Sequence, residues 1–204
     1  MKMFDGVAVV DVEATGLDSR RCSIVSVGIV LYKDRNIIEQ YFECKPFKDA
    51  FIDPEGLKIN GTKRSELYSE NRMNQKKMMT EIARILKAYK IHTIAGQNTS
   101  FDRDFLTEAA RREGVKWDLT HRTVDLHSIC YALLLERGKR IPTKHGRNWL
   151  SASAMYRLLG MPTEPKPHNA LTGARMEFEA MSRLVYGKSV LNDFKRFRVN
   201  GFHL

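Results

Sequence analysis

Cysteine is scarce in this 204-residue chain: Cys22, Cys44 and Cys130 are scattered, odd in number and contain no CxxC pair. Such a set makes neither a disulfide framework nor a zinc cage, and it fits a reducing compartment, so a cytoplasmic location is expected. Long apolar runs are also missing, none approaching the roughly 18–20 residues of a membrane span, and no membrane partner is expected. The first residues, Met1-Lys2-Met3-Phe4-Asp5-Gly6, lack a charged region followed by an apolar stretch and a cleavage site, and they lead straight into a strand-like run. They are not read as a signal peptide. Internal repeats, low-complexity tracts and linkers are absent, and the length suits one domain with a proper core.

What the chain has in excess is positive charge. Thirty-four Lys and Arg stand against 24 Asp and Glu, a formal net charge of +10. A basic surface attracts polyanions, of which nucleic acid is the commonest. A solvated charged surface gives the same composition, so charge alone does not choose between them.

Three strand-like segments come first: Val7–Val12 (VAVVDV), Ile24–Tyr32 and Asn36–Cys44, the last two joined by a Lys33-Asp34-Arg35 turn. Their succession predicts an antiparallel meander. Apolar residues at 78, 79, 82, 85, 86 and 89 predict a helix within residues 71–90 with one buried face. A short strand over Ile91–Ala95, a helix over Phe101–Glu113 and a strand over Thr123–Leu126 follow. Helices are then expected at 126–137 and 150–159, and a last one over 169–186, introduced by Pro165 and Pro167 and closed by Gly187. Strands first, then alternating helices and strands, predict an α/β fold with a mixed sheet flanked by helices. The loop 137–147 (RGKRIPTKHGR) reads either as solvated surface or as a mobile phosphate-contacting loop beside a nucleic-acid groove. The basic tail 188–204 carries Phe194, Phe197 and Phe202, and packs either on the body or on a partner.

Candidate chemistry lies in three places. Asp11 and Glu13 end the first strand, and alternation sends both to one side of it. Two like charges beside an apolar strand are costly unless a cation neutralises them, and divalent metal is the natural one. One of the two could equally be a turn cap or a surface acid. Asn98 and Asp102 bracket the start of a helix after the short strand, where helix capping is the plainer role for Asp102. His168 directly precedes the last helix. Histidine is suited to taking a proton from water, although a lone histidine there is more often a surface or capping residue.

In order, Asp11-x-Glu13-x-Thr15-Gly16, Asn98-x-x-x-Phe101-Asp102 and His168-Asn169-Ala170-Leu171 resemble the DEDDh (DnaQ-like, ribonuclease T) superfamily of 3′–5′ exonucleases. Gly56-Leu57-Lys58-Ile59-Asn60-Gly61 and Thr123-Val124-Asp125-Leu126 extend the resemblance over nearly the whole chain. It implies a ribonuclease H-like fold with a five-stranded mixed sheet. It also implies phosphodiester hydrolysis with two Mg²⁺ or Mn²⁺ ions, Asp11 shared between them, Glu13 on the first and Asp102 on the second. His168 would act as general base. Ala14, Thr15, Gly16 and Leu17, with Asn98 and Phe101, would meet the terminal nucleotide, Leu17 as a wedge.

One position departs from the pattern. The superfamily places Asp five residues after the histidine, and this chain has Gly173 there. Glycine has no ligating side chain and costs a helix about 1 kcal/mol against alanine. Glu177, one turn on along the same helix face, is a candidate substitute, with a plain surface acid as the alternative. The expected function is a 3′–5′ exonuclease acting on DNA or RNA, single-stranded 3′ ends foremost, with activity reduced if nothing replaces the fourth acid. The alternatives are a catalytically impaired nucleic-acid-binding module and a polymerase-associated accessory subunit. A homodimer or a polymerase partner is left open. The expected division is an exonuclease domain over 1–187 and a basic extension over 188–204.

Overall fold

The computed structural model describes residues 4–204. Its strands β1 (Val7–Ala14), β2 (Ile24–Lys33), β3 (Asn36–Glu43), β4 (Thr93–Gly96) and β5 (Thr123–Asp125) form one sheet in the order β3-β2-β1-β4-β5. The meander β1–β3 is antiparallel, whereas β4 and β5 run parallel to β1, so the sheet is mixed. This is the five-stranded α/β fold that the resemblance implies.

Helix α1 (Pro54–Asn60) follows the meander. Helices α2 (Gln75–Ala88) and α3 (Thr99–Glu113) cover one face of the sheet, where Met78, Met79, Ile82, Phe105 and Leu106 pack against Val10, Val12, Ile29 and Ile94. Helices α4 (Leu126–Glu136), α5 (Ala152–Leu158) and α6 (Ala170–Tyr186) cover the other, joined with Val9, Val30 and Ala95 through Leu133, Tyr156 and Phe178. Alternation along β1 explains the division: Ala8, Val10 and Val12 face the first layer, while Val9 and Asp11 face the second.

Three local devices set the positions of later interest. A register break between Glu13 and Ala14 bulges the end of β1, the kind of irregularity that re-aims side chains at a sheet rim. The strand therefore runs two residues past the expected Val12. A Cβ on Gly28 would lie 2.1 Å from the Ala170 carbonyl oxygen, so only glycine on β2 lets the start of α6 come this close to the sheet. Asp125 accepts from the backbone N–H groups of both Thr99 and Ser128, tying the starts of α3 and α4 to the end of β5.

Two segments that the sequence reads in more than one way take definite form. The 137–147 loop contains a small hairpin, β6 (Thr143–Lys144) with β7 (Arg147–Asn148). The tail packs on the body: Leu191, Phe194 and Phe202 are buried, and the Leu204 N–H donates to the Leu184 carbonyl. Its anchor is Arg183, fully buried on α6, which pairs with Glu179 at 2.7 Å and donates to the carbonyls of Phe194 and Phe197. Glu179 accepts in turn from the N–H groups of Val190 and Leu191. A buried ion pair is tolerable only when its remaining donors and acceptors are met in this way.

Candidate active site

The C-terminal ends of β1 and β4 open onto a cavity of about 380 Å³, closed on its sides by α1, the first turn of α3, the loop before α6 and α6 itself. Asp11, Glu13, Asp102, His168 and Glu177 all line it. So do Ala14, Gly16, Leu17, Asn98 and Phe101. Thr15 does not. Its side chain is fully buried, where the hydroxyl donates to the Phe51 carbonyl and accepts from the Ser23 N–H. Thr15 thus holds the turn that carries its neighbours and offers no side-chain contact to a ligand.

Asp102 is not a helix cap. Its Oδ1 accepts from the Val12 N–H at 2.9 Å, bridging α3 to the end of β1. The position preceding α3 belongs to Asn98, in a left-handed conformation and without a side-chain capping bond. Helix α1 is stitched to both sides of the cavity: Asn60 donates to the Ala14 carbonyl, and the His168 N–H donates to the Ile59 carbonyl. Asn169 caps α6 by accepting from Leu171 and Thr172, which fixes His168 one residue ahead of the cap.

Glu177 is buried, so the surface-acid alternative is corrected. Its Oε2 has no hydrogen-bond partner, and it occupies space that a Cβ on Gly96 would enter at 2.8 Å. An unsatisfied buried carboxylate oxygen is costly. The titration of the whole cluster moves the same way. Burial foremost, then Asp11 and Asp102, push the Glu177 carboxyl well above the usual carboxylate range. Burial and then Asp102, Glu13 and Glu164 raise Asp11, and burial also dominates at Asp102. Glu13 is pushed up to about 7 by burial and by Glu164.

Glu164 is one of three lining acids that the sequence did not announce, with Asp53 and Glu55. It lines the cavity with one oxygen 3.9 Å from His168 Nδ1. It lies in an irregular stretch, Pro162–Pro167, where no periodicity could place it. In all, seven carboxylates line the cavity, Asp53 and Glu55 being the others, and among the described residues no Lys or Arg does. In a chain of net charge +10, that inversion is a strong local signal. A set of oxygen donors with raised proton affinity and an orphaned oxygen fits hard divalent cations. No three His, Cys, Asp or Glu side chains among the described residues already close on one point as a metal cage does, so an ion would have to draw the carboxylates inward.

A family model described as an exonuclease, RNase_T, matches residues 8–181. The chain belongs to the RNase_T exonuclease family. Ribonuclease T of Haemophilus influenzae is 27% identical over 127 residues, covering 55% of this chain and 54% of that protein. The match thus spans about half the length of that curated relative. Among solved structures, Escherichia coli exonuclease I in a zinc-bound complex with single-stranded DNA superposes with a TM-score of 0.71 at 18% identity, over 87% of this chain and 39% of that one. The same enzyme with a dA16 oligonucleotide gives 0.69 at 17% identity, over 87% and 40%. At these identities the likeness is one of fold.

Within this RNase_T family member, Gly173 is explained by its neighbour. A Cβ at 173 would lie 2.1 Å from Asp11 Oδ2 and 2.8 Å from its Cγ, so the Asp11 carboxylate leans into the space that a side chain there would need. Gly173→Ala is expected to turn that carboxylate aside, because a carboxylate end yields more easily than helix backbone. Helix propensity offsets the cost by about 1 kcal/mol. Thermal unfolding should therefore move by only a few degrees while turnover falls at least tenfold. Unchanged turnover would show that the Asp11 orientation is immaterial.

Proposed function

We propose that this chain is a metal-dependent 3′–5′ exonuclease that releases nucleoside monophosphates from the 3′ end of a nucleic-acid strand, with Glu177 as the fourth acid of its site. The observation that carries this reading is the burial of Glu177 beside Asp11 and Asp102 with one oxygen unpartnered. Asp11, Glu13, Asp102 and Glu177 would hold two ions, Mg²⁺ or Mn²⁺. When bound, the ions supply positive charge that acidifies the attacking water and offsets the charge growing on the departing oxygen.

The rest is done by side chains. His168 accepts a proton from the attacking water, whose oxygen forms the new bond to phosphorus as the bond to the 3′-oxygen of the penultimate nucleotide breaks. That oxygen leaves as a hydroxyl after taking up a proton from solvent, and the terminal nucleotide departs as a 5′-monophosphate. Glu164 stands beside the imidazole, one oxygen 3.9 Å from Nδ1, where it can orient the ring. At the rim, Leu17 is 84% exposed, a large apolar side chain held out from a turn that buried Thr15 makes rigid. It serves as the wedge between the last two bases, with Phe101 as the apolar wall for the terminal one.

The test is incubation with 5′-labelled single-stranded DNA and RNA oligomers in Mg²⁺, Mn²⁺ or EDTA, beside an Asp11→Ala blank. Stepwise shortening from the 3′ end that requires metal and disappears in the blank is the expected result. Binding of oligomers with no shortening in either metal would replace this reading with that of a catalytically impaired binding module.

A further inference from the structure

The cavity does not end at His168. A second groove, of about 570 Å³, shares Ala152, Glu164 and His168 with it and continues past Ser151, Ser153 and Lys166. Its far end lies at the foot of the β6–β7 hairpin, since the Ser151 N–H donates to the Trp149 carbonyl. The hairpin is a built element. His145 and Gly146 both take positive φ, 51° and 72°, as a two-residue turn matching strand twist requires. The Trp149 N–H closes its base on the Pro142 carbonyl at 2.7 Å, and buried Leu150 anchors it to the core.

What the hairpin displays is unusual for a surface loop. Residues 137–147 carry five cations and no acid. Arg137 is spent on the tail, donating to the carbonyls of Gly201 and His203. Lys139, Arg140, Lys144 and Arg147 make no ion pair among the described residues. Trp149 is 52% exposed, with Lys144 Nζ 4.7 Å from its ring centre. A tryptophan held half in water by a rigid base, flanked by free cations and joined by a groove to a carboxylate-lined cavity, has the chemistry of a stacking platform for a polyanionic strand.

We propose that this hairpin and the groove at its foot form the track for the single strand leading 5′-ward from the active site. Trp149 stacks one base, Lys144 and Arg147 meet the adjoining phosphates, and Ser151, Ser153 and Lys166 hold the stretch between. The direction of the strand rests on the exonuclease reading; the binding itself does not. The track makes affinity and turnover depend on substrate length, because a strand too short to leave the cavity never reaches Trp149.

The experiment uses the whole chain, its Trp149→Ala and Trp149→Phe variants and the double variant K144E/R147E. Fluorescent oligothymidylates of about three and about twelve nucleotides are titrated by anisotropy in EDTA, then followed for hydrolysis in Mg²⁺. These side chains are exposed, and thermal unfolding confirms that each variant is folded. Trp149→Ala is expected to weaken the longer oligomer about tenfold or more, as loss of one stacked base does, and Trp149→Phe to restore most of the affinity. K144E/R147E should lower the slope of log affinity against log salt by about 1.4, two single-strand phosphate contacts. The trinucleotide should bind and react within about twofold of the unsubstituted protein, well inside the tenfold stacking effect. Equal losses at both lengths, or none at either, overturn the track. If the length effects on binding appear but nothing is hydrolysed, the exonuclease reading fails and the track stands. If hydrolysis proceeds equally in all variants at both lengths, the reverse holds.

Discussion

Replacing Glu177 with glutamine should cut turnover at least a hundredfold while making the metal-free protein more stable. Glutamine preserves the length and shape of the side chain, so packing on α6 and beneath Gly96 survives. What changes is charge. The carboxyl is buried against Asp11 and Asp102, with its Oε2 unpartnered. A neutral amide removes the like-charge repulsion between this group and Asp11, whose own carboxyl is held well above its ordinary range. In EDTA the midpoint of thermal unfolding should therefore rise by a few degrees, at about 2–4 °C per kcal/mol for a chain of this size. With Mg²⁺ or Mn²⁺ the order reverses, because an oxygen donor has been lost and the metal-induced rise in midpoint shrinks. A bland structural acid predicts the opposite: lower stability in both conditions and unchanged turnover. Calorimetry with and without metal, beside the labelled-oligomer assay, separates the two.

The second large effect is a swing of stability with pH that metal abolishes. Glu13 is raised from 4.5 to about 7, and Asp11, Asp102 and Glu177 are raised as well. A carboxyl whose folded value lies above its unfolded one binds its proton more tightly in the native state. Its contribution is complete below the unfolded value, near pH 4, and is lost as pH rises through the folded one. For Glu13 the window runs from about 4.5 to about 7, and at 1.36 kcal/mol per pH unit it carries about 3 kcal/mol. The midpoint in EDTA should thus fall by roughly 5–10 °C between pH 5 and pH 8 from this residue alone, with the other three adding in the same direction. Divalent cations at pH 8 should recover the loss, since they take the place of the protons. Glu13→Gln should remove its own share of the fall and leave that of the other three. A profile unchanged by either metal or that substitution would mean that the cluster does not bind cations.

The two results bear on why a basic protein keeps an acidic hole. The carboxyls of Asp11, Glu13, Asp102, Glu164 and Glu177, all raised around one cavity, destabilise the fold at neutral pH in the absence of a counter-ion. The rest of the molecule supports them: the doubly packed sheet, the Arg183–Glu179 anchor and the close approach at Gly28. Strain of this kind is expected where a site must bind charge.

Much of this was legible in the sequence, and the parts that were not share a cause. The β-branched runs of the meander, the 3.6-residue spacing of α2 and the proline and glycine signals flanking α6 placed those elements within a few residues, because each is a local pattern. Asp11, Glu13, Asp102 and His168 each had a plainer local reading, and it was the family resemblance of their ordered motifs that singled them out; the structure brings all four to one cavity. Three things were not legible. Helix α1 is only seven residues long, with Gly56 inside it. The Asp53-Pro54 start was its one signal, and a long-range bond from Asn60 to the Ala14 carbonyl holds it in place. The β6–β7 hairpin has two residues per strand, too few for alternation to show. Glu164 lies in an irregular stretch where no period applies.

Glu177 marks the boundary most clearly. Helical spacing put it on the face of Gly173, and that was as far as one element could take it: the same spacing suits a solvent-facing acid. Whether it meets water or other carboxylates depends on how near α6 lies to β1 and β4. That distance is set by glycines far away along the chain, Gly28 on β2 and Gly96 on β4 itself. The sequence by itself determined the elements, the charge and most of the acids, since these follow from local pattern. Only the tertiary structure decided which acids are deprived of water, because burial is a property of what packs against a residue and not of the residue.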